Sequence, residues 1–449
     1  MARKRKAQAE RDVDRLIRLV RDREIRLVSL MHIGGDGNVK VLDFAPRDAS
    51  HLRDILEGGE RADGSSLFSG SGIKAKSSDM LLRPRLDRAF LDPFSEIPTL
   101  CVLCGHVGRD GAPLPESPDS ILGKAYERLK GETGVDLHAL GEVEFFLGHR
   151  ASEVDMRVAD EHGYHAAAPV VFGQAFRRKA LTLLADLGVP IKYGHSEVGY
   201  VASTDLEGFI WEQHEIEMGL APLPAAAEAV ILTQWVLRNL AQQMGFRVTF
   251  DPILREGHAG SGLHFHFSPR LKGRGVVGRR PDGSMEEPAQ WLIGGLVKNA
   301  GALMAFGNRN PGSFIRLRQG KEAPSFITWG QNNRKALIRI PTVAFTASGR
   351  AVSVPTIEFR LPDGSAHPYL LLAGVAQAMS AARSIPKIDE LLRKTAASVR
   401  KEESQAQALP RSFGEVADRL EKQRSIFEAD GVFPPHWIEM VLKSLRSER

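Results

Sequence analysis

Three short stretches place chemically capable side chains at a period of two. "GLHFHFS" carries His264 and His266, "GEVEFFLG" carries Glu142 and Glu144, and "TIEFRLP" carries Glu358 and Arg360. In a strand, alternate residues face opposite ways. The polar groups would share one face while Leu263, Phe265, Phe267, Val143, Phe145, Ile357 and Phe359 take the other. One such strand fits an ordinary half-wetted sheet. Three together do not, because they offer glutamate and histidine where a solvent-facing strand offers lysine, threonine and serine.

Crowded carboxylates repel one another unless cations sit among them. Mg²⁺ or Mn²⁺ takes mostly oxygen ligands, tolerates one imidazole and would neutralise such a cluster. A paired-metal site suits phosphoryl transfer, where the ions bridge nucleotide oxygens. Arg316, Arg334, Arg339 and Arg360 supply planar forks that grip carboxylate or phosphate. No "GxxxxGK[ST]" occurs, which excludes a P-loop as the nucleotide cradle. The glycines of "GHAGSGLHFHFS" fit close backbone approach to a ligand beside His264, and equally a tight turn into the strand.

These residues need elements to position them, and 449 residues give room for two domains. The composition, 43% hydrophobic and 26% charged, is that of a globular chain. A net charge of +5 and a pI near 9.1 come from basic residues mostly interleaved with acidic ones, which reads as a solvated surface and disfavours nucleic acid as partner. The basic "ARKRK" at the start is the exception. No run approaches the roughly 20 apolar residues that span a bilayer and no signal peptide is evident, so a cytoplasmic protein without membrane contact is expected. Cys101 and Cys104 lie three apart in a strand-like stretch, on opposite faces, and read as buried structural residues.

Residues 1–113 read as an opening amphipathic helix (Val13, Leu16, Ile17, Leu19, Val20) followed by short strands and little other helix. The proline-rich "DGAPLPESPDS" marks a boundary, and from 114 to 449 helices alternate with strands. Helices are expected over 120–130, 175–188, 224–245 with Gly245 as stop, 289–306 and 367–384. Ser412 and Glu415 form a capping-box signature for a last one.

Ten segments in order make the chain resemble glutamine synthetases over nearly its whole length: "DGSS" at 63, "SSDM" at 77, "LDPFSEIPTL" at 91, "GEVEFF" at 141, "HSEV" at 195, "EQHEIEM" at 212, "GSGLHFHFS" at 260, "RLRQGKEAP" at 316, "NRKALIRIP" at 333 and "IEFRLPDGSAHPYL" at 357. The resemblance implies an α+β fold with a small β-grasp-like amino-terminal domain and a larger α/β catalytic domain built round an antiparallel strand funnel. It implies a homo-oligomer, a double hexameric ring of twelve chains with active sites between subunits. Its substrates would be ATP, glutamate and ammonium, or an amine, with two or more Mg²⁺ or Mn²⁺ ions per subunit. Glu144, Glu197 and Glu215 would hold one metal, and Glu142, His264 and Glu358 the other. His266 and Ser268 would face the nucleotide; Arg316, Arg360 and the backbone at Gly260 would bind glutamate; Arg334 and Arg339 would face the transferring phosphate. Glu322 would be a flap that shuts the site, and Asp63 with Ser66, from the neighbouring subunit, the ammonium pocket.

The pattern also departs from the family. A tryptophan usual after "DGSS" is missing, and either Phe68 substitutes as an apolar lid or nothing does; Ala259 replaces an asparagine and Thr356 an arginine. The stretch "GYVASTDLEGFIW" lengthens the interval after Glu197: strict spacing points to Asp205 as third ligand, the local motif to Glu215, which is preferred. The five tyrosines end at Tyr369, which argues against control by tyrosine adenylylation. The rival readings are a γ-glutamyl ligase for an amine or polyamine, and a non-catalytic regulator.

Overall fold

A computed structural model of the chain describes residues 2–151, 159–201, 208–278, 284–319, 323–400 and 404–448. Glu322, Asp205 and the side chains of the basic 2–6 stretch lie outside the described residues. The chain forms two compact units, Met1–Ile121 with Phe433–Met440, and Leu122–Val432 with Val441–Arg449. No helix among the described residues is long and apolar enough to cross a membrane.

The first unit contains α1 (Ala2–Asp22), β1 (Leu27–Ile33), β2 (Val39–Phe44), α2 (Ala49–Gly58), β3 (Glu60–Asp63), α3 (Gly64–Leu67), β4 (Asp79–Leu91) and β5 (Thr99–Val107). The strands make one sheet in the order β2-β1-β5-β4-β3, with β1 and β5 parallel and the other neighbours antiparallel. Val13 and Leu16 of α1 are buried in its core, as the helical spacing requires. α2 is a helix that the reading of strands alone passes over. Asp48 caps it by accepting from the His51 N–H, and Leu52, Ile55 and Leu56 form its buried stripe. Phe68 is 1% exposed inside this core, edge-on to His106, so as placed it is a core residue and not a lid. Cys101 and Cys104 are free thiols buried on β5, and burial pushes Cys104 up to about 12.

α4 (Pro118–Thr133) leads into the second unit. There follow β6 (Val135–Arg150), α5 (Gln174–Asp186), β7 (Ile191–Val201), β8 (Phe209–Met218), β9 (Ala221–Pro222), α6 (Leu223–Met244), β10 (Arg247–Thr249), β11 (Leu263–Leu271) and β12 (Arg274–Gly275). The remainder is α7 (Glu287–Gly307), α8 (Gly312–Arg318), β13 (Trp329–Gln331), β14 (Ile338–Ile340), β15 (Ile357–Phe359), α9 (Pro368–Ala382), α10 (Ile388–Thr395), α11 (Phe413–Glu428) and α12 (Pro435–Ser447). The main sheet runs β13-β14-β15-β11-β6-β8-β7, antiparallel except for β13 with β14. Gly245 ends α6 in the left-handed conformation at φ 73°, and the Ser412 side chain caps α11 by accepting from the Glu415 N–H. The apolar face of β6 packs on α6: a Cβ on Gly141 would lie 2.7 Å from Val230 Cγ2. That contact turns Glu142 and Glu144 to the opposite face.

Candidate active site: two carboxylate–imidazole clusters facing four arginines

Strand register builds this site. β6 and β8 pair Glu142 with Glu217 and Glu144 with Glu215. β11 adds His264 opposite Glu142, and β7 adds Tyr193 opposite Glu217 and His195 opposite Glu215. On the other side β15 sets Glu358 opposite His266, and β14 sets Arg339 opposite Glu358. Directly paired residues project to the same face, so residues distant in sequence form adjoining rows on one surface. Between Ser196 and Tyr200 the β7–β8 register slips. Such a bulge re-aims side chains; Glu197 sits in it, its Oε2 accepting from the Val198 N–H at 3.0 Å.

The first cluster is Glu142, His264 and Glu358. His264 Nδ1 lies 3.2 Å from Glu142 Oε2 and 3.7 Å from both Glu144 Oε1 and Glu358 Oε1. His266 Nε2 is 2.9 Å from Glu142 Oε1, and its Nδ1 is 2.9 Å from the Thr356 hydroxyl. Burial opposes charge on Glu142, yet His266 and His264 hold its carboxyl well below the usual range. Burial likewise opposes charge on Glu358, and His266 and Arg360 keep it low; Arg360 Nη1 reaches Glu358 Oε1 at 2.7 Å, and Arg339 also bonds this carboxylate.

The second cluster is His195, Glu197 and Glu215. Here burial, then the charges of Glu142, Glu144, Glu197 and Glu217, push the Glu215 carboxyl well above its ordinary value. Neighbouring glutamates are thus displaced in opposite directions, because two imidazoles lie against Glu142 while carboxylates crowd round Glu215. A divalent cation would relieve that repulsion, and the donor sets of carboxylate oxygen with one imidazole each fit Mg²⁺ or Mn²⁺.

The clusters line a cavity of about 220 Å³ whose wall also holds Gly260, Arg316, Arg334, Arg339 and Arg360. Arg316 is buried on α8 and anchored by its guanidinium to the Leu361 and Arg360 carbonyls, each at 3.0 Å. Ser268 lies further along β11, and its buried hydroxyl finds no hydrogen-bond partner among the described residues. Asp63 and Ser66 belong to the amino-terminal unit; Asp63 caps α3 and accepts from the hydroxyls of Ser65 at 2.7 Å and Ser66 at 2.5 Å. Those bonds, Ser66 first, hold its carboxyl well below the usual range.

Sequence reasoning missed five residues here: His195, Gln213, Tyr164, Tyr193 and Glu217. All but Glu217 line the cavity, and Glu217 completes a square with Glu142, Glu144 and Glu215, bonded to Lys192 at 2.5 Å. His195 had a signal, since it stands two before Glu197 just as His264 stands two before His266. Gln213 and Glu217 share the parity of Glu215 on β8, and the same period would have found them. Tyr164 lies in a loop, where no period applies. Glu212 and His214 take the other face of β8, where Glu212 accepts from the Phe172 and Gly173 N–H groups and His214 meets Arg177.

Residues 115–449 match the family described as glutamine synthetase, catalytic domain. The glutamine synthetase of Pyrococcus abyssi is 29% identical over 432 residues, covering 95% of this chain and 91% of that protein. That of Pseudomonas aeruginosa is 30% identical over 465 residues, covering 96% and 94%. In fold, the chain is similar to the glutamine synthetase of Plasmodium falciparum, with a TM-score of 0.80 at 19% identity over 97% of this chain and 95% of that one. Both units are mixed α/β, the match spans the whole stretch that carries the cavity, and so the chain belongs to the glutamine synthetase family.

Proposed function

We propose that this ligase-family chain joins ammonia to the γ-carboxylate of glutamate at the expense of ATP, through γ-glutamyl phosphate, releasing glutamine, ADP and phosphate. One observation carries the reading: a single cavity sets two carboxylate–imidazole clusters against four arginines. Glu142, His264 and Glu358 would hold one divalent ion; Glu144, Glu197 and Glu215 the other. When bound, such ions neutralise phosphate oxygens and orient them for in-line displacement. Arg316 and Arg360, with Gly260, would bind glutamate so that a γ-carboxylate oxygen attacks the γ-phosphorus of ATP and ADP leaves. Arg334 and Arg339 would stabilise the charge that develops on the transferring phosphoryl group. His266 and Ser268 lie on the nucleotide side.

Ammonium would be held by Asp63 and Ser66 of a neighbouring subunit. The serine hydroxyls keep Asp63 charged, which suits holding a cation and weakens it as proton acceptor, so Asp63 would act first as an electrostatic anchor. Asp63 would then take a proton from the bound ammonium, the freed nitrogen attacks the acyl phosphate carbonyl, and phosphate departs. Glu322 would close over this step and exclude water. The reading includes a β-grasp-like domain over 1–113, a catalytic domain over 114–449, and a double hexameric ring in the cytoplasm.

A second reading, ligation of an organic amine, is favoured by the Tyr164 and Tyr193 rings on the cavity wall, which would pack against an alkyl group. Phosphate release is measured with glutamate, ATP, Mg²⁺ and either ammonium, methylamine, ethanolamine or putrescine. Ammonium is expected to give the highest kcat/KM; a preference for one of the amines selects the second reading, and no release with any acceptor removes both.

A further inference from the structure

We propose that His195 is itself a metal ligand, its Nε2 joining Glu197 and Glu215 around one divalent ion, so that each ion has one imidazole and two carboxylates as nearest neighbours. The proposal rests on the two-ion reading above and changes the ligand set of one ion.

The hydrogen-bond pattern of the ring carries the argument. His195 Nδ1 lies 3.0 Å from the Ser196 carbonyl oxygen, which can only accept, so the Nδ1–H donates there. In the neutral ring Nε2 then bears a lone pair, and it points at Glu215 Oε1 from 3.2 Å. Two lone pairs facing at that distance repel unless a proton or a metal cation lies between them, and the cluster of Glu197 and Glu215 round the ring suits the metal. An imidazole whose second nitrogen donates to a backbone carbonyl is also the arrangement that fixes a metal-binding histidine in its tautomer. Glu197 Oε1 lies 3.5 Å from Nδ1 on the other side of the ring, and one ligand atom from each of the three residues lies within 4.8 Å of the others.

Glu144 is placed differently. Its Oε2 accepts from Gln213 Nε2 and from the Gly262 N–H, both at 2.8 Å, and its Oε1 is turned to His264 at 3.7 Å. Among the described residues Oε1 has only that long contact with His264, so Glu144 faces the first cluster, while His195 is the second cluster's third neighbour. Adding a nitrogen also moves that site's preference from Mg²⁺ toward Mn²⁺ or Co²⁺, which accept imidazole more readily.

The metal-stripped chain is titrated with Mn²⁺ by calorimetry, and pulsed EPR of the bound Mn²⁺ reads directly coordinated nitrogen. The wild type is expected to take up two ions. The variant His264→Gln should still show a nitrogen coupling, and His195→Gln/His264→Gln should show none. His195→Gln alone should weaken one ion by at least the roughly 10–100-fold that follows loss of a ligand's hydrogen-bond partner. His195→Asp, an all-oxygen set, should keep two ions and shift one toward Mg²⁺. Near-UV circular dichroism verifies the fold of each variant. Two ions bound by His195→Gln with wild-type affinities, or no nitrogen coupling in His264→Gln, overturns the proposal and leaves the two-ion reading standing. A shared proton between His195 and Glu215 would give that result. No Mn²⁺ uptake by the wild type overturns both.

Discussion

Gln213 shows how one uncharged side chain can set a charged one. It is 2% exposed, donates to Glu144 Oε2 at 2.8 Å and to the Gly260 carbonyl at 3.0 Å, and accepts from the Gly199 N–H at 3.0 Å. It therefore ties β8 to β6, to the β7 bulge and to the glycine turn before β11. Gln213→Leu keeps the bulk and strands the Gly199 donor and the Gly260 acceptor. The expected loss is about 1–3 kcal/mol of stability in urea titrations. Mn²⁺ affinity should fall about 10–100-fold in calorimetry, because Glu144 loses the partner that orients it. Gln213→Glu should rescue neither, since it sets another carboxylate against Glu144.

At the scale of elements, close approach and pairing decide what the site rests on. α7 and α9 cross with Gly295 so near the α9 backbone that a Cβ would lie 2.5 Å from the Ala378 carbonyl oxygen. Backbone cannot swing aside as a side chain can, so Gly295→Ala should destabilise by about 1–3 kcal/mol in the same titration. In the amino-terminal unit, parallel β1 and β5 bring His32 Nδ1 to 3.0 Å from His106 Nε2, and His106 Nδ1 to 2.9 Å from Asp119. Asp119 accepts, so each ring donates onward in its neutral form. Burial first, and His106 next, push His32 down to about 4. A histidine whose folded pKa is depressed leaves the unfolded chain binding more protons, so its contribution is intact above about 6.5 and is lost as pH falls toward 4. Melting followed from pH 7 to 4 should show a loss approaching 3 kcal/mol, order of magnitude, from this group. His32→Asn should flatten that slope; an unchanged slope would place the acid sensitivity elsewhere.

For the whole molecule, the proposed ring makes a prediction that no single chain can satisfy. Asp63 belongs to one compact unit and Glu358 to the other. If ammonium and metal groups of one site come from different subunits, Asp63→Asn and Glu358→Gln chains should each be inactive alone. Dissociated and reassembled together they should regain activity, since some sites then draw both intact groups. No recovery in mixed assemblies, verified by mass, would show that each chain builds its own site. Adenylyltransferase treatment should leave the mass unchanged; Tyr369, the last tyrosine, is 1% exposed.

The sequence by itself determined the faces: alternation on β6, β11 and β15 marked Glu142, Glu144, His264, His266 and Glu358, because a strand's period is a local property of the backbone. It determined α6 and α11 through Gly245 and Ser412, which act on their own helix ends. Motif order determined the family. It did not mark α2, whose stripe of Leu52, Ile55 and Leu56 is short and sits among strands. Only the tertiary structure decided which strands lie side by side, and hence that His195 faces Glu215, that Glu217 squares the cluster and that Phe68 is buried in a core. Register and long-range packing are set by the energy of all the contacts together, and no short window of sequence contains that sum.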